Sequence, residues 1–489
     1  MEEKAVRGVP WTFLGLAVSK TVTTLTTLVL ARLVAPADFG LMAIGLIVVN
    51  FLFWFGGISF GATLVVHQEL DRRQQGSVFS LALIGTAFAT AVAAGLAPIA
   101  ASVMHQPRLT AVLLTLSIAV LISGVASFYE SLLQSQLEFR RRFAALAVQT
   151  VAFSVVAITL AALGAGVWSL VAGQLVSMGL FAIMLVSLAP YRVVPSWDRS
   201  VVHTVFATGR GFFTQGVTVF IRQNVDTVMV GRSFGAAAIG YYAMAFRFGD
   251  LTYSAVADPI ARVTFPAFAR SRAAEDDVRP AFLTVIRIVA LTTVPIGVLL
   301  SAAGDPFTHL FFGPDWAPMA GVLAVVGIWA AVRPVESTLS WLLNSLGRAG
   351  AVGWVALVVL VPLVVGLVLA IGSGDLRLVA CVPLADTLIS FAILTVLVHR
   401  HAEVSPWDLW RALRGVAVCG AVDWVVTRVV AEALADQGAF AALTLSFGAG
   451  LGAFLVGLVL VDRELLVTAV RQAARVAGRG SAPAEAPAG

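Results

Sequence analysis

Residues 31–43 read ARLVAPADFGLMA, and residues 231–243 read GRSFGAAAIGYYA. At this offset of 200 positions Arg32 faces Arg232, Ala37 faces Ala237, Gly40 faces Gly240 and Ala43 faces Ala243; Phe13 likewise faces Phe213. Each run is a short turn between two apolar stretches, about 11–33 and 40–66 in the first copy and about 206–231 and 236–261 in the second. Six such stretches precede the segment 191–205, so both copies enter the bilayer from the same side. The repeat is therefore parallel, about an axis along the membrane normal. The plan it predicts is two six-helix lobes followed by a terminal helix pair. Chance likeness between Ala/Gly-rich turns is the competing reading, and the equal helix count in the two halves favours the repeat.

Of 489 residues, 59% are hydrophobic and 12% charged, with a mean hydropathy of +0.94. Soluble globular chains carry about 25% charged residues. This composition excludes a soluble enzyme, a secreted domain and a disordered chain, and predicts an all-α polytopic membrane protein. Apolar stretches long enough to cross about 30 Å of hydrocarbon recur near 11–33, 40–66, 78–104, 110–134, 142–163, 166–189, 206–231, 236–261, 281–303, 318–344, 350–371, 377–398, 411–434 and 440–461, about fourteen in all. The first is too long for a signal-peptide core and lacks a small-residue cleavage site, so it reads as a retained helix. The expected division is an N-lobe at 1–190, a linker at 191–205, a C-lobe at 206–400, the last helix pair at 401–465 and a tail at 466–489 that is disordered at its end.

With the N-terminus inside, the inner segments carry 22 Lys and Arg, against four in the outer loops: Arg32, Arg108, Arg232 and Arg377. The positive-inside rule then places both termini on the cytoplasmic side. The largest breaks, about 190–205, 262–280 and 399–410, all fall on that side. The net charge of +5 does not point to nucleic acid, because no basic cluster sits on a soluble domain. Cys381 and Cys419 lie in apolar stretches and read as small hydrophobes rather than a disulfide or metal pair. No phosphate loop and no His-Glu-x-x-His is present, so no cofactor, metal or catalytic residue is expected. Trp168, Trp316 and Trp407 fall near helix ends, as interface-belt tryptophans do.

An ionisable side chain at membrane depth costs roughly 2.5–3.5 kcal/mol on insertion scales, so each is a functional candidate. In the first span Lys20, Thr23, Thr24 and Thr27 form one polar stripe at helical spacing, expected to face the cavity. In the seventh, Gln215, Arg222 and Asp226 share a face, and Arg222 and Asp226 are spaced to pair at i, i+4. Arg247 with Asp250 and Arg333 with Glu336 are spaced to pair at i, i+3. Such pairs read equally as structural bridges. Arg287, Glu130, Asp386 and Asp423 have no oppositely charged residue within one turn. Arg287 is thus a substrate candidate, with snorkelling to the interface as its alternative. Glu130, Asp226, Asp250, Glu336 and Asp386 are coupling or gating candidates, and Asp423 lies outside the repeat.

The run LARLVAPADFGLMA, after a first helix containing Trp11, resembles the polysaccharide-transporter (Wzx-type) flippases of the multidrug/oligosaccharidyl-lipid/polysaccharide exporter superfamily, nearest its colanic-acid-exporter-like subgroup. Asp226 ahead of VMVGRSFGAAAIGYYAMA (228–245), Pro266 after the eighth span, LFFGPDWAP (310–318) opening the tenth and Gly347-Arg348 closing it extend the resemblance over essentially the whole chain. The resemblance implies two six-helix lobes around a central cavity with two further helices, a place in the bacterial cytoplasmic membrane, and export of an undecaprenyl-pyrophosphate-linked oligosaccharide by alternating access. Its implied partners are that substrate, membrane lipids, and polysaccharide polymerase and co-polymerase proteins. A cation-coupled drug exporter of the same superfamily and a membrane glycan polymerase are the rival readings. Short outer loops disfavour the polymerase.

Overall fold

The computed structural model describes residues 2–53, 63–64, 67, 69–273 and 277–461; side chains in the first helix are described from Val18, and in the seventh at 199, 201–203, 205 and from Phe220. The tail at 466–489 and the side chain of Gln215 lie outside the described residues. The helices are α1 Glu2–Leu33, α2 Pro36–Phe53, α3 Arg72–Val103, α4 Arg108–Ser135, α5 Phe139–Ala162, α6 Val167–Leu188, α7 Arg199–Phe234 and α8 Ala236–Thr252. After a π-helical turn at Tyr253–Ala257 follow α9 Asp258–Ala273, α10 Arg279–Ala302, α11 Gly304–Phe311, α12 Ala317–Ser345, α13 Ala349–Gly372, α14 Leu376–Ala402, α15 Pro406–Ala433 and α16 Ala439–Val461.

Wherever their residues are described, the expected spans coincide with helix, and among the described residues ten helices are long and apolar enough to cross a membrane. That search covers the described residues and rests on length and composition alone. Two expected breaks are shorter than the sequence suggests. Residues 258–273 form α9, because Arg262 pairs with Asp258 at 2.9 Å one turn back. Phe268, buried on the same helix, lies 6.4 Å from the ring of Phe282. Between α14 and α15 only residues 403–405 are non-helical. There Ser405 caps α15 through the Trp407 amide, with Pro406 at the first helical position.

The chain forms two compact units. The first is Met1–Met244 with Phe311–Trp316 and Val364–Val379; the second is Ala245–Leu310, Ala317–Leu363 and Ala380–Gly489. In the first, Phe79 stacks on Phe128 at 4.6 Å over a core containing Val78, Leu132 and Leu185. Helix α1 is tied to α5 by hydroxyls: Ser19 Oγ and Thr150 Oγ1 lie 2.9 Å apart, and Thr26 Oγ1 donates to Ser154 Oγ at 2.7 Å. Between helices in lipid, where no hydrophobic drive operates, such pairs and small residues hold the contact.

The two copies of the repeated turn meet in this first unit. Gly40 rests on the carbonyl of Ala236 and Gly240 on that of Pro36, so a Cβ at either position would overlap the opposing oxygen. Glycine stands at the same place in both copies because each helix start occupies the space the other leaves. The segment Phe311–Trp316 closes over this contact. Trp316 is fully buried and its Nε1 donates to the Ala31 carbonyl at 2.9 Å. Arg32 Nε donates to the Phe311 carbonyl at 3.0 Å, and the Tyr241 hydroxyl to the Asp315 carbonyl at 3.0 Å. The rings of Phe39, Tyr241 and Phe312 surround the indole at centroid distances of 5.4, 5.9 and 5.3 Å. Trp316 is therefore the centre of a clasp and not an interface-belt residue, unlike the exposed Trp168 and Trp407.

In the second unit α10 and α12 approach closely at Gly297 and Gly327, where a Cβ would meet the opposing backbone. Asp423 is buried between α15 and α16, where Thr427 Oγ1 donates to it at 2.9 Å under Gly450. That environment is structural, in keeping with its place outside the repeat.

Candidate functional site

In the second unit three helical segments converge on Arg333. Its NH1 lies 3.3 Å from Asp250 Oδ1, and its guanidinium carbon sits 4.7 Å from the Trp329 ring centroid and 5.2 Å from that of Tyr253. Trp329 and Arg333 are four apart on α12, so the indole lies one turn below the charge. Asp250 is on α8, and Tyr253 opens the π-helical turn, a device that recurs at functional sites. The extra residue per turn changes the facing of the chain between Asp250 and α9. Phe246 packs on Trp329 at 5.0 Å, and Tyr253 lies 6.5 Å from Trp341.

The side chains of Arg333 and Asp250 are 28% and 46% exposed, so this ion pair is not sealed in a core. Arg247, three residues before Asp250, is exposed and makes no hydrogen bond or ion pair among the described residues. A stacked guanidinium gains about 0.5–2 kcal/mol from the rings and keeps its in-plane N–H edges for bidentate contact with phosphate or carboxylate. Asp250 can accept from sugar hydroxyls. The cluster therefore carries one guanidinium, one carboxylate and aromatic faces, a set suited to an anionic, hydroxyl-rich ligand.

The intrahelical pairs expected from spacing do not form here. Arg247 does not pair with Asp250, whose partner is Arg333 from another helix. Arg333 does not pair with Glu336, which instead accepts from Ser390 Oγ of α14 at 2.6 Å. Arg287 on α10 is half-buried, and its Nε is enclosed without a hydrogen-bond partner. Asp386 is buried on α14 beside Thr387.

In the first unit Lys20 is exposed, and Thr23 and Thr24 are half-buried. None of these three side chains makes a hydrogen bond among the described residues. Thr27 is buried and donates back to the Thr23 carbonyl at 2.8 Å, which takes it out of the open stripe. Arg222 is half-buried. Its expected pairing with Asp226 is absent. Asp226 is buried and accepts from the Tyr242 hydroxyl at 2.8 Å and from the Thr227 amide at 2.7 Å. These two donors turn the carboxylate toward α8. Glu130, expected to stand alone, pairs with Arg142 across the α4–α5 connection at 2.6 Å.

Spacing overlooked Tyr242, Tyr253, Trp329 and Trp341. The available signal was aromatic residues one turn from a charge: Trp329 before Arg333, and Tyr253 after Asp250.

A family model described as polysaccharide biosynthesis protein matches residues 29–321. The chain is 27% identical to the succinoglycan biosynthesis transport protein ExoT of Rhizobium meliloti, over 99% of this chain and 97% of ExoT. It is 24% identical to the teichuronic acid biosynthesis protein TuaB of Bacillus subtilis, over 69% of this chain and 70% of TuaB. Its fold matches that of the lipid II flippase MurJ in an inward closed conformation, with a TM-score of 0.77 over 94% of this chain and 100% of MurJ at 14% identity. That last likeness is one of fold alone.

Proposed function

Because this chain belongs to the polysaccharide biosynthesis protein family of membrane transporters, we propose that it flips undecaprenyl-pyrophosphate-linked oligosaccharide repeat units across the bacterial cytoplasmic membrane by alternating access. The observation that carries this reading is the ion pair of Asp250 and Arg333 set against Trp329 and Tyr253. The head of such a lipid is large, polar and anionic, and its passage through bare hydrocarbon is prohibitive. A flippase must offer that head charge and hydrogen bonds along the way while the tail stays in lipid. Arg forks serve the phosphates, and Asp250 with the aromatic faces serves the sugar. Arg287 on α10 of the same unit is a further contact for that head; Lys20, Thr23 and Thr24 on α1 and Arg222 on α7 are polar candidates within the first unit.

With both termini cytoplasmic, the clasp of Gly40, Gly240 and Trp316 lies at the outer end, and it is the contact that parts when the outer side opens. Each negative charge moving outward gains about 2.3 kcal/mol per 100 mV of inside-negative potential. The polymerase and co-polymerase that consume the flipped unit are its expected partners.

Cation coupling, the mark of the drug-exporter alternative, is favoured by one observation. Asp226 is a buried acid held by a tyrosine rather than a cation. A drug-susceptibility profile separates the two readings. Deleting the gene should leave lipid-linked repeat units accumulated on the cytoplasmic face and the surface polysaccharide missing. Drug sensitivity with normal surface polysaccharide, in a strain without a redundant exporter, would overturn the flippase reading.

A further inference from the structure

An apolar groove of about 460 Å³ runs along the first unit between α4 and α6. Ile122 and Val125 border it on one side, Gly179, Ile183 and Val186 on the other, and Arg192 closes one end. The groove is on the side of α4 turned away from α2. Helix α2 seats Gly45 against Leu116 and Val112, both buried, whereas Ile118 and Leu121 of α4 and Ile183 of α6 are exposed. It therefore opens toward hydrocarbon and not into the helix bundle.

The end marked by Arg192 has the composition of a membrane–water interface. Helix α6 ends at Leu188, whose carbonyl accepts from Arg141 NH1 at 3.1 Å. In the segment that follows, the Arg72 guanidinium lies over the Tyr191 ring at 4.7 Å, and Val194 and Trp197 are exposed. Basic and aromatic side chains at a helix end mark headgroup level. Arg192 itself is exposed and makes no hydrogen bond or ion pair among the described residues. An uncommitted guanidinium thus stands at headgroup depth over an apolar trough open to lipid.

We propose that this groove binds an anionic phospholipid, with its phosphate on Arg192 and one acyl chain along Ile122, Val125, Ile183 and Val186. Apolar burial holds the chain whatever the headgroup, and the guanidinium supplies selection. A basic residue near a membrane surface contributes about fivefold in affinity for an anionic lipid. A single fork matches a single phosphate rather than a pyrophosphate, which favours a membrane phospholipid over the carrier lipid of the transport substrate. The site is separate from the transport reading and does not depend on it.

The test is native mass spectrometry of the full-length protein in mild detergent with equal amounts of phosphatidylglycerol and phosphatidylethanolamine of matched chains. Wild type should retain phosphatidylglycerol about fivefold over phosphatidylethanolamine. Arg192→Gln should bring that ratio to about one with total bound lipid unchanged. Gly179→Leu, where nothing lies within 4 Å of the added Cβ, should lower retention of both lipids. A ratio in Arg192→Gln equal to wild type overturns the proposal, even if the Gly179 variant fails to fold. Displacement of phosphatidylglycerol by equimolar undecaprenyl phosphate would also overturn it, and would assign the groove to the carrier.

Discussion

Arg333→Ala should lower export of the saccharide at least about tenfold while the protein reaches the membrane in normal amount. Hydrogen bonds to a charged group contribute about 1.5–3 kcal/mol, and this guanidinium has a second asset in its place over Trp329 and Tyr253. Loss of fold is not the expected cause. Removing one partner of a buried pair is severe because the other charge is stranded, but Asp250 is 46% exposed and can be hydrated. Arg333→Lys keeps the charge and loses the planar fork, so it should fall between wild type and Ala. The double variant Arg333→Ala with Asp250→Asn, which removes the charge and keeps an acceptor for the sugar, separates the roles. If Arg333 serves only to neutralise Asp250, the double variant regains export; if it contacts substrate, the double variant stays folded and inactive. Surface polysaccharide measured at equal membrane abundance reads the outcome, and full export by Arg333→Ala would remove the cluster from the transport path.

Trp316→Ala should destabilise the protein by about 3–5 kcal/mol, the range for truncating a fully buried Trp. The indole is enclosed by Phe39, Tyr241 and Phe312, and its N–H satisfies the Ala31 carbonyl in the last turn of α1. Trp316→Phe keeps most of the ring contact and gives up that hydrogen bond, so its cost should be smaller, about 1–3 kcal/mol. Gly240→Val should resemble the Ala variant, because its side chain would have to displace the Pro36 backbone. Gly350→Ala, at a position with nothing within 4 Å, is the neutral control. Thermal unfolding in detergent ranks the four variants. Equal stability of Trp316→Ala and Trp316→Phe would show that the clasp contributes little to the fold.

The helices are legible because about twenty consecutive apolar residues have few other uses. The repeated turn is legible because Arg32, Ala37, Gly40 and Ala43 recur at one offset. That Gly40 and Gly240 pack on each other's helix starts is not, since no local pattern encodes which backbone lies opposite. The same limit explains the charged residues. Spacing along a helix identifies Arg222 with Asp226, Arg247 with Asp250 and Arg333 with Glu336 as neighbours. In the bundle, groups on adjacent helices compete for the same carboxylates and win: Tyr242 for Asp226, Arg333 for Asp250 and Ser390 for Glu336. Glu130, with no partner in its own helix, finds Arg142 twelve residues away. Charge content misleads in α9, where Arg262, Arg270 and Arg272 suggest a loop. The Asp258–Arg262 pair and the anchoring of Phe268 keep that segment helical instead.

Movement of a lipid-linked saccharide between leaflets can be followed with purified protein in liposomes containing an undecaprenyl-pyrophosphate-linked oligosaccharide, as the fraction of saccharide accessible to an externally added glycosidase. Wild-type protein should make the inner-leaflet pool accessible with time, and Arg333→Ala should do so far more slowly. Accessibility that stays at the outer-leaflet fraction, as in protein-free liposomes, would contradict the proposed transport.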